Sequence, residues 1–178
     1  MFQPIEAKLI IEKDGFQLHN VSLSYEALSS LASCSPDSDA STDLFATLSQ
    51  HPSSSVRERI AYKENLNEDT VLALAVDPSV DVLRNLIRTS AFRRYITDDL
   101  LIQIIGRDVE AACFIAENLE LLENIDRHNI LRLLVLSDDP AIVAAVAGNT
   151  STPKKILKEL LRHPDVDVVD RAKQNIDK

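Results

Sequence analysis

The chain has 178 residues, of which 45% are hydrophobic and 26% are charged, and its net charge is −9. This composition is typical of one soluble globular domain, and the negative charge disfavours nonspecific binding to nucleic acid and to anionic membranes. Three glycines exclude glycine-rich phosphate loops, and no apolar run approaches the length of a membrane span. Because the N-terminus also lacks a signal-peptide pattern, we expect a cytoplasmic protein.

Residues 1–33 are predicted to form an N-terminal cap rather than a clear repeat. The letters KLIIEKDGFQLHN favour a β-hairpin that turns at Asp14 and Gly15, and a helix ending near Gly15 is the alternative. Ser24 is placed to cap a following helix that runs through Leu31. Residues 34–42, which are rich in Ser, Pro and Asp, are predicted to be a mobile linker.

Residues 43–178 repeat with a period of 26. The segments VLALAVDPSVDVLRNLI, from Val71, and ILKELLRHPDVDVVDRA, from Ile156, share an apolar helical stretch, a proline, a short acidic segment and a second helical stretch. Pro52 lies 26 residues before Pro78, and Leu134 lies 26 residues before Leu160. The pattern predicts about five two-helix repeats, which form a single domain with the cap over 1–178.

The repeat predicts which side chains form the core. One apolar position recurs in the first helix, at Leu48, Leu74, Leu134 and Leu160. Two positions four residues apart recur in the second helix, at Val56, Val82, Ala111, Ile142 and Val168 and at Ile60, Leu86, Ile115, Val146 and Ala172. Since residues four apart share a helix face, we expect all of these to be buried, with Leu74 and Leu160 at equivalent sites. Residues 89–96 and 119–125 interrupt the period and are predicted to be insertion loops.

The segment DDPAIVAAVAGNTSTPKKILKELLRHPDVDVV, residues 138–169, resembles the leucine-rich repeat variant family within the HEAT-like helical repeats. The resemblance implies an all-α fold, a right-handed α-solenoid of short helices, with the possible hairpin added at its N-terminal end. It implies no particular chemistry, because such repeats serve many functions. A family member carries an N-terminal cysteine cluster for iron–sulfur, whereas only Cys34 lies in that region here.

The remaining polar residues of the repeats are interpreted as structural. His51 and His163 occupy one repeat position near a helix C-terminus, where a cationic group is favoured. Neither they nor the two cysteines show metal-ligand spacing, so no metal or other cofactor is expected. Cys113 is interpreted as a core or half-buried thiol, with a reactive nucleophile as the alternative. Three asparagines are expected just past the second helices, in left-handed conformations and bonded to the backbone: Asn118, Asn149 and Asn175.

One basic and aromatic cluster is the candidate partner-binding site. Its residues are Arg84, Arg88, Arg93, Arg94 and Tyr95. Arg84 and Arg88 share a helix face at i, i+4, and the other three are expected in an insertion loop. Arginine forks beside an aromatic ring suit an acidic partner, phosphate or single-stranded nucleic acid. The alternative is that these arginines pair with nearby carboxylates such as Asp81, Asp98 and Asp99.

These observations predict a non-enzymatic protein–protein interaction scaffold. Stacked repeats offer an extended surface, and neither a catalytic motif nor a small-molecule substrate is indicated. The expected partner is another protein, with an acidic one favoured by the arginine cluster, while membranes and nucleic acid are disfavoured by the net charge. The alternative function is nucleic-acid binding similar to that of HEAT-like DNA glycosylases, which the arginine cluster alone supports.

Overall fold

The structure is a computed structural model that describes residues 5–177. Within these residues the chain forms one β-hairpin, made of β1 (Lys8–Lys13) and β2 (Phe16–Ser22), and twelve α-helices. The helices are α1 (Tyr25–Cys34), α2 (Thr42–Leu48), α3 (Ser54–Ala61), α4 (Glu68–Ala75), α5 (Val80–Leu86), α6 (Ser90–Tyr95), α7 (Asp98–Ile105), α8 (Val109–Glu117), α9 (Arg127–Val135), α10 (Pro140–Gly148), α11 (Lys154–Leu160) and α12 (Val166–Ile176). The chain divides into two compact units, Met1–Ala91 and Phe92–Lys178.

The N-terminal segment forms the predicted hairpin, so the alternative of a helix ending near Gly15 is wrong. β1 and β2 pair antiparallel, and the turn residues Asp14 and Gly15 have φ angles of 52° and 80°. A two-residue turn with both φ angles positive matches the twist of the strands it joins, and glycine adopts that conformation freely. Ser24 caps α1 as predicted, because its hydroxyl accepts a hydrogen bond from the Ala27 N–H at 3.3 Å.

The first unit buries the predicted core positions. α2 packs against α3 and α4 packs against α5, which are the expected helix pairs. The second helices also pack in sequence, α1 on α3 and α3 on α5. Val56, Ile60, Val82 and Leu86 are fully buried, and Leu74 is 1% exposed. Although α1 lies mostly within the predicted cap, it packs on α3 as α3 packs on α5.

The second unit repeats this arrangement. α7, α9 and α11 pack against α8, α10 and α12 respectively, and α10 packs between α8 and α12. Leu160, predicted to be equivalent to Leu74, is 5% exposed, and Leu134 is fully buried. The prediction of a buried repeat core is therefore confirmed in each unit. The insertions are not plain loops: residues 90–95 form α6, and Leu119–Leu121 form a 3-10 helix.

Side-chain amides link the second helix of one repeat to that of the repeat before it. Asn175 donates through Nδ2 to the carbonyl oxygens of Ala147 and Asn149, at 2.9 and 2.7 Å. Asn149 donates in the same way to Ala116 at 2.8 Å. The expected bonding to the backbone is thus correct, but the expected left-handed conformation is wrong, because Asn149 has a φ of −70° and Asn118 one of −124°. Asn175 lies within α12, so its expected position just past the helix is also wrong. A buried amide that reaches the preceding repeat satisfies carbonyls at a helix end.

A lysine takes this linking position in the first unit. Lys63 lies seven residues after Val56, as Asn175 lies seven after Val168. Its Nζ donates to the carbonyl oxygens of Ser33 and Ser35, at 3.1 and 2.8 Å. The neighbouring Asp37 carboxylate accepts the N–H groups of residues 64 and 65, at 2.7 and 2.8 Å. These hydrogen bonds hold the start of the predicted mobile linker against residues 63–65 of the following repeat.

Another repeat position caps the turn into four of the second helices, α3, α5, α10 and α12. It is occupied by His51, Asp77, Ser137 and His163, each of which accepts a hydrogen bond from the backbone N–H two residues later. In both histidines the accepting atom is Nδ1, at 3.1 Å. An imidazole nitrogen that accepts a hydrogen bond carries no proton. Both histidines thus act as turn caps, a role that the interpretation as cations at a helix end did not include.

Candidate partner-binding cleft

The arginine cluster is distributed over both units, each of which holds part of it. In the first unit, Arg84 lies on α5 and is half-buried, and Arg88 lies beyond the end of α5 and is exposed. In the second unit, Arg93, Arg94 and Tyr95 lie on α6. A joint site formed by all five residues stays a prediction.

The segment that holds Arg93, Arg94 and Tyr95 is helical, so its expected loop conformation is wrong. The Arg94 guanidinium carbon lies 5.9 Å from the centre of the Tyr95 ring, which is within the range of a cation–π contact. Arg94 is exposed, while Arg93 is half-buried and its carbonyl oxygen accepts the Glu123 N–H at 2.8 Å. The buried side chains Phe92 and Ile96 explain why this insertion folds as a helix instead of extending into solvent.

A second basic site, which the sequence analysis did not identify, lies between α9 and α11 in the second unit. α9 begins after Asp126, whose carboxylate caps the helix by accepting the Asn129 N–H at 3.1 Å. Ile130 and Leu134, one turn apart, are buried and fix the inward face of α9. His128 and Arg132, also one turn apart, consequently lie on the outward side and are exposed.

α11 supplies the opposite wall of this cleft. Leu157 and Leu160 are buried and orient α11 toward the core, which leaves Lys155 and Glu159 exposed and Ile156 half-buried. The cleft has a volume of about 570 Å³. We call it the α9–α11 cleft, and its lining residues are His128, Arg132, Val135, Leu136, Pro153, Lys155, Ile156 and Glu159.

A smaller cavity of about 250 Å³ adjoins the α9–α11 cleft and shares His128 and Pro153 with it. Arg127 and Leu131 of α9 line this cavity, together with Glu120. The Glu120 carboxylate accepts a hydrogen bond from the Asn149 amide at 3.0 Å. The two cavities together therefore form one continuous surface at which basic groups outnumber acidic ones.

Charge and apolar area are combined in the α9–α11 cleft. Arg132 and Lys155 are basic residues on opposite walls, and Glu159 is the one carboxylate in the lining. Val135, Ile156 and Leu136 provide apolar area, and Leu136 is 69% exposed. Such a surface suits a ligand that presents carboxylates beside apolar groups. The i, i+4 spacing of His128 and Arg132 was visible in the sequence, but Lys155 joins them only through the packing of the repeats.

Two titratable side chains outside the cleft, His51 and Cys113, have pKa values that are shifted by burial. Burial lowers the pKa of His51, and the nearby Arg57 charge acts in the same direction. Cys113 is half-buried, and burial raises the pKa of its thiol, with the Glu117 and Asp139 carboxylates adding to that effect. A raised pKa disfavours the thiolate that a nucleophilic cysteine requires. Among residues 5–177, no group of three or more His, Cys, Asp or Glu side chains is arranged to hold a metal ion.

Comparison of the chain with protein families, with curated proteins and with solved structures finds no match. In the described part of the chain, no helix has the length and apolar character needed to cross a membrane.

Proposed function

We propose that this protein is a non-enzymatic protein-interaction module whose α9–α11 cleft binds an acidic segment of a partner protein. The observation that carries the proposal is the placement of Arg132 and Lys155 across an open cleft with exposed apolar side chains, in a chain whose net charge is −9. In such a chain, a locally basic surface steers an acidic segment toward one site while the remainder of the molecule repels it.

The proposal includes the repeat architecture. We propose that the two-helix repeats belong to the leucine-rich repeat variant type and stack as a right-handed α-solenoid. Support comes from each unit taken alone, since successive second helices pack on one another through equivalent buried positions. Repeats of this kind present their first helices as a row, and a cleft between two of them is a rigid platform for a peptide.

The test uses short fluorescent peptides that alternate glutamate with leucine, and a matched set that alternates lysine with leucine. We expect the intact chain to bind the acidic peptides alone, with an affinity that falls as salt is raised from about 0.05 to about 0.5 M. The double substitution Arg132→Glu with Lys155→Glu should weaken binding at least about tenfold. The matched control is Lys154→Glu with Lys158→Glu, because these exposed lysines share α11 but do not line the cleft.

The same assay separates the cleft from the arginine cluster. Arg88→Glu with Arg94→Glu should leave peptide binding unchanged if the α9–α11 cleft is the site. Loss of binding in that variant, with retention in the cleft variant, would move the site to the arginine cluster. A single-stranded oligonucleotide serves as the probe for the alternative function, because the Arg94–Tyr95 contact is the kind of pair on which a base can stack. Tighter binding of the oligonucleotide than of any peptide would overturn the proposal.

A further inference from the structure

The hairpin is a two-stranded sheet that exposes apolar side chains on both of its faces. Every described residue of β1 and β2 is exposed. Phe16 is 76% exposed, and Leu9, Ile10 and Val21 are each at least half exposed. A two-stranded hairpin standing in water is marginally stable, and three or more strands are normally needed. The hairpin therefore has the exposed apolar side chains and the low strand number that the addition of further strands would compensate.

The two edges of the hairpin differ. Lys8 pairs with Ser22 and Ile11 with His19 in regular register, but Glu12 pairs with Gln17, which leaves Leu18 of β2 as an extra residue. Such a bulge bends a strand and disrupts pairing along its edge, which is one way that proteins protect an edge strand. β1 contains no extra residue, so β1 offers the regular edge for another strand.

The backbone of β1 is oriented for pairing at this edge. The Leu23 N–H donates to the Ala7 carbonyl oxygen at 2.8 Å, so the backbone groups of Ala7 face the partner strand β2. In an antiparallel pair, successive residues alternate between facing the partner strand and facing away from it. The N–H and C=O groups of Lys8, Ile10 and Glu12 consequently face away from β2, toward the open edge.

The side chains of β1 are complementary to a second β1 in one particular register. When two copies pair antiparallel about Ile10, Lys8 of each copy lies opposite Glu12 of the other, and Leu9 lies opposite Ile11. Opposite charges and apolar pairs directly across two strands are stabilising. A lysine on an edge strand usually opposes pairing, but in this register each Lys8 faces a carboxylate. Ile10 then lies on the two-fold axis with outward backbone groups, so backbone hydrogen bonding is compatible with this register and the side-chain pairing selects it.

We propose that two copies of this chain associate through their β1 strands to form a four-stranded antiparallel sheet with Ile10 on the two-fold axis. The interface is isologous, so both copies use the same strand and the assembly closes at two. Leu9, Ile11 and Val21 of both copies then lie on one face of the sheet. The hairpin acts as the dimerisation element, and this inference does not depend on the α9–α11 cleft.

The test is charge reversal at the paired positions, read by analytical ultracentrifugation of the full chain. We expect the unaltered protein to dimerise, and expect Lys8→Glu or Glu12→Lys alone to raise the dimer dissociation constant at least about tenfold, because each change places like charges opposite one another. The double variant Lys8→Glu with Glu12→Lys should restore the dimer. An equimolar mixture of the two single variants should form a heterodimer. One copy then carries glutamates at positions 8 and 12 and the other carries lysines there, so opposite charges face each other across the two β1 strands.

The matched control is Asn20→Glu, which adds a charge to β2 opposite the uncharged Ile10 and should leave the dimer intact. Circular dichroism of each variant checks that the helices remain folded, and the restoring double variant excludes simple loss of the hairpin as the cause. A chain that stays monomeric at roughly 100 μM would overturn the proposal, since an interface of useful strength is populated at that concentration. Dimerisation that is indifferent to both single variants would overturn it equally, because association would then use another surface.

Discussion

Arg57 and Asp77 form a buried ion pair between consecutive repeats. The Arg57 Nε lies 2.6 Å from one Asp77 carboxylate oxygen and its Nη2 lies 3.0 Å from the other, while the two side chains are 3% and 1% exposed. Arg57 also donates through Nη1 to the carbonyl oxygens of His51 and Pro52, at 2.7 and 2.8 Å. The corresponding residues of neighbouring repeats, such as Leu83 and Val143, are apolar and fully buried. Arg57 is thus a polar exception in an otherwise apolar column, whereas Asp77 belongs to the polar column that caps the turns.

Removal of one partner of this pair should be more damaging than removal of both. Asp77→Ala should lower the free energy of unfolding by about 3–5 kcal/mol, because it leaves a buried guanidinium without its carboxylate. The double variant Arg57→Leu with Asp77→Ser should cost less than Asp77→Ala, since it buries no charge and keeps a hydroxyl to cap the turn. Urea denaturation measures both values. Lys173→Ala, which removes an exposed ion pair with Asp170 at 3.7 Å, should cost less than about 1 kcal/mol and is the control.

The links between repeats should contribute measurably to stability. Asn175→Ala should cost about 1–3 kcal/mol, because the Ala147 and Asn149 carbonyls at a buried site lose their donor. Lys63→Met should produce a loss of similar size in the first unit, since methionine fills the volume but cannot donate to Ser33 and Ser35. Thermal or urea unfolding provides the measurement. A smaller effect is expected for Asn118→Ala, because the Asn118 amide donates to the Phe114 carbonyl oxygen of the helix that Asn118 follows. Equal costs for Asn118 and Asn175 would contradict a specific role for the link.

His51 should make the protein less stable as the pH falls. Its pKa in the folded chain is lowered from the ordinary value of 6.5, chiefly by burial. As the pH falls through about 6.5, the unfolded chain takes up a proton that the folded chain does not, so the free energy of unfolding decreases toward the lowered pKa. The contribution is fully present above the unfolded pKa. Urea unfolding at about pH 7.5 and about pH 5.5 should show this loss, and His51→Asn should reduce it; an identical pH dependence in both proteins would assign it to other groups.

The two cysteines should differ in their rate of alkylation. Cys34 is exposed and Cys113 is half-buried, and burial raises the pKa of the Cys113 thiol. Because the thiolate is the nucleophile, Cys113 should react with iodoacetamide at neutral pH more slowly than Cys34. Mass spectrometry of the intact protein and of its peptides over time gives the two rates, with Cys34→Ser isolating the second. Faster reaction at Cys113 would favour the alternative of a reactive nucleophile.

Much of the helical fold is encoded locally and could be predicted. The 26-residue period places Val56 and Ile60, or Val168 and Ala172, one turn apart on a helix face, and an apolar face of this kind is buried wherever helices can pack together. The Asp14–Gly15 turn and the Ser24 cap are equally local, because each depends on the conformational preference of one or two residues.

Contacts between residues of different repeats could not be predicted from the sequence pattern. Lys63 is buried because carbonyl oxygens of the preceding repeat lie within reach of its amine. The α9–α11 cleft exists because Ile130 and Leu157 fix the rotation of two helices and thereby bring Arg132 and Lys155 to opposite walls. Helix rotation and spacing depend on the summed packing of many side chains, so a linear pattern identifies the buried face but not the neighbours of the exposed one. The sequence by itself determined the hairpin turn, the paired helices of the repeats and their core, whereas only the tertiary structure decided that the insertions fold as helices and which polar side chains meet.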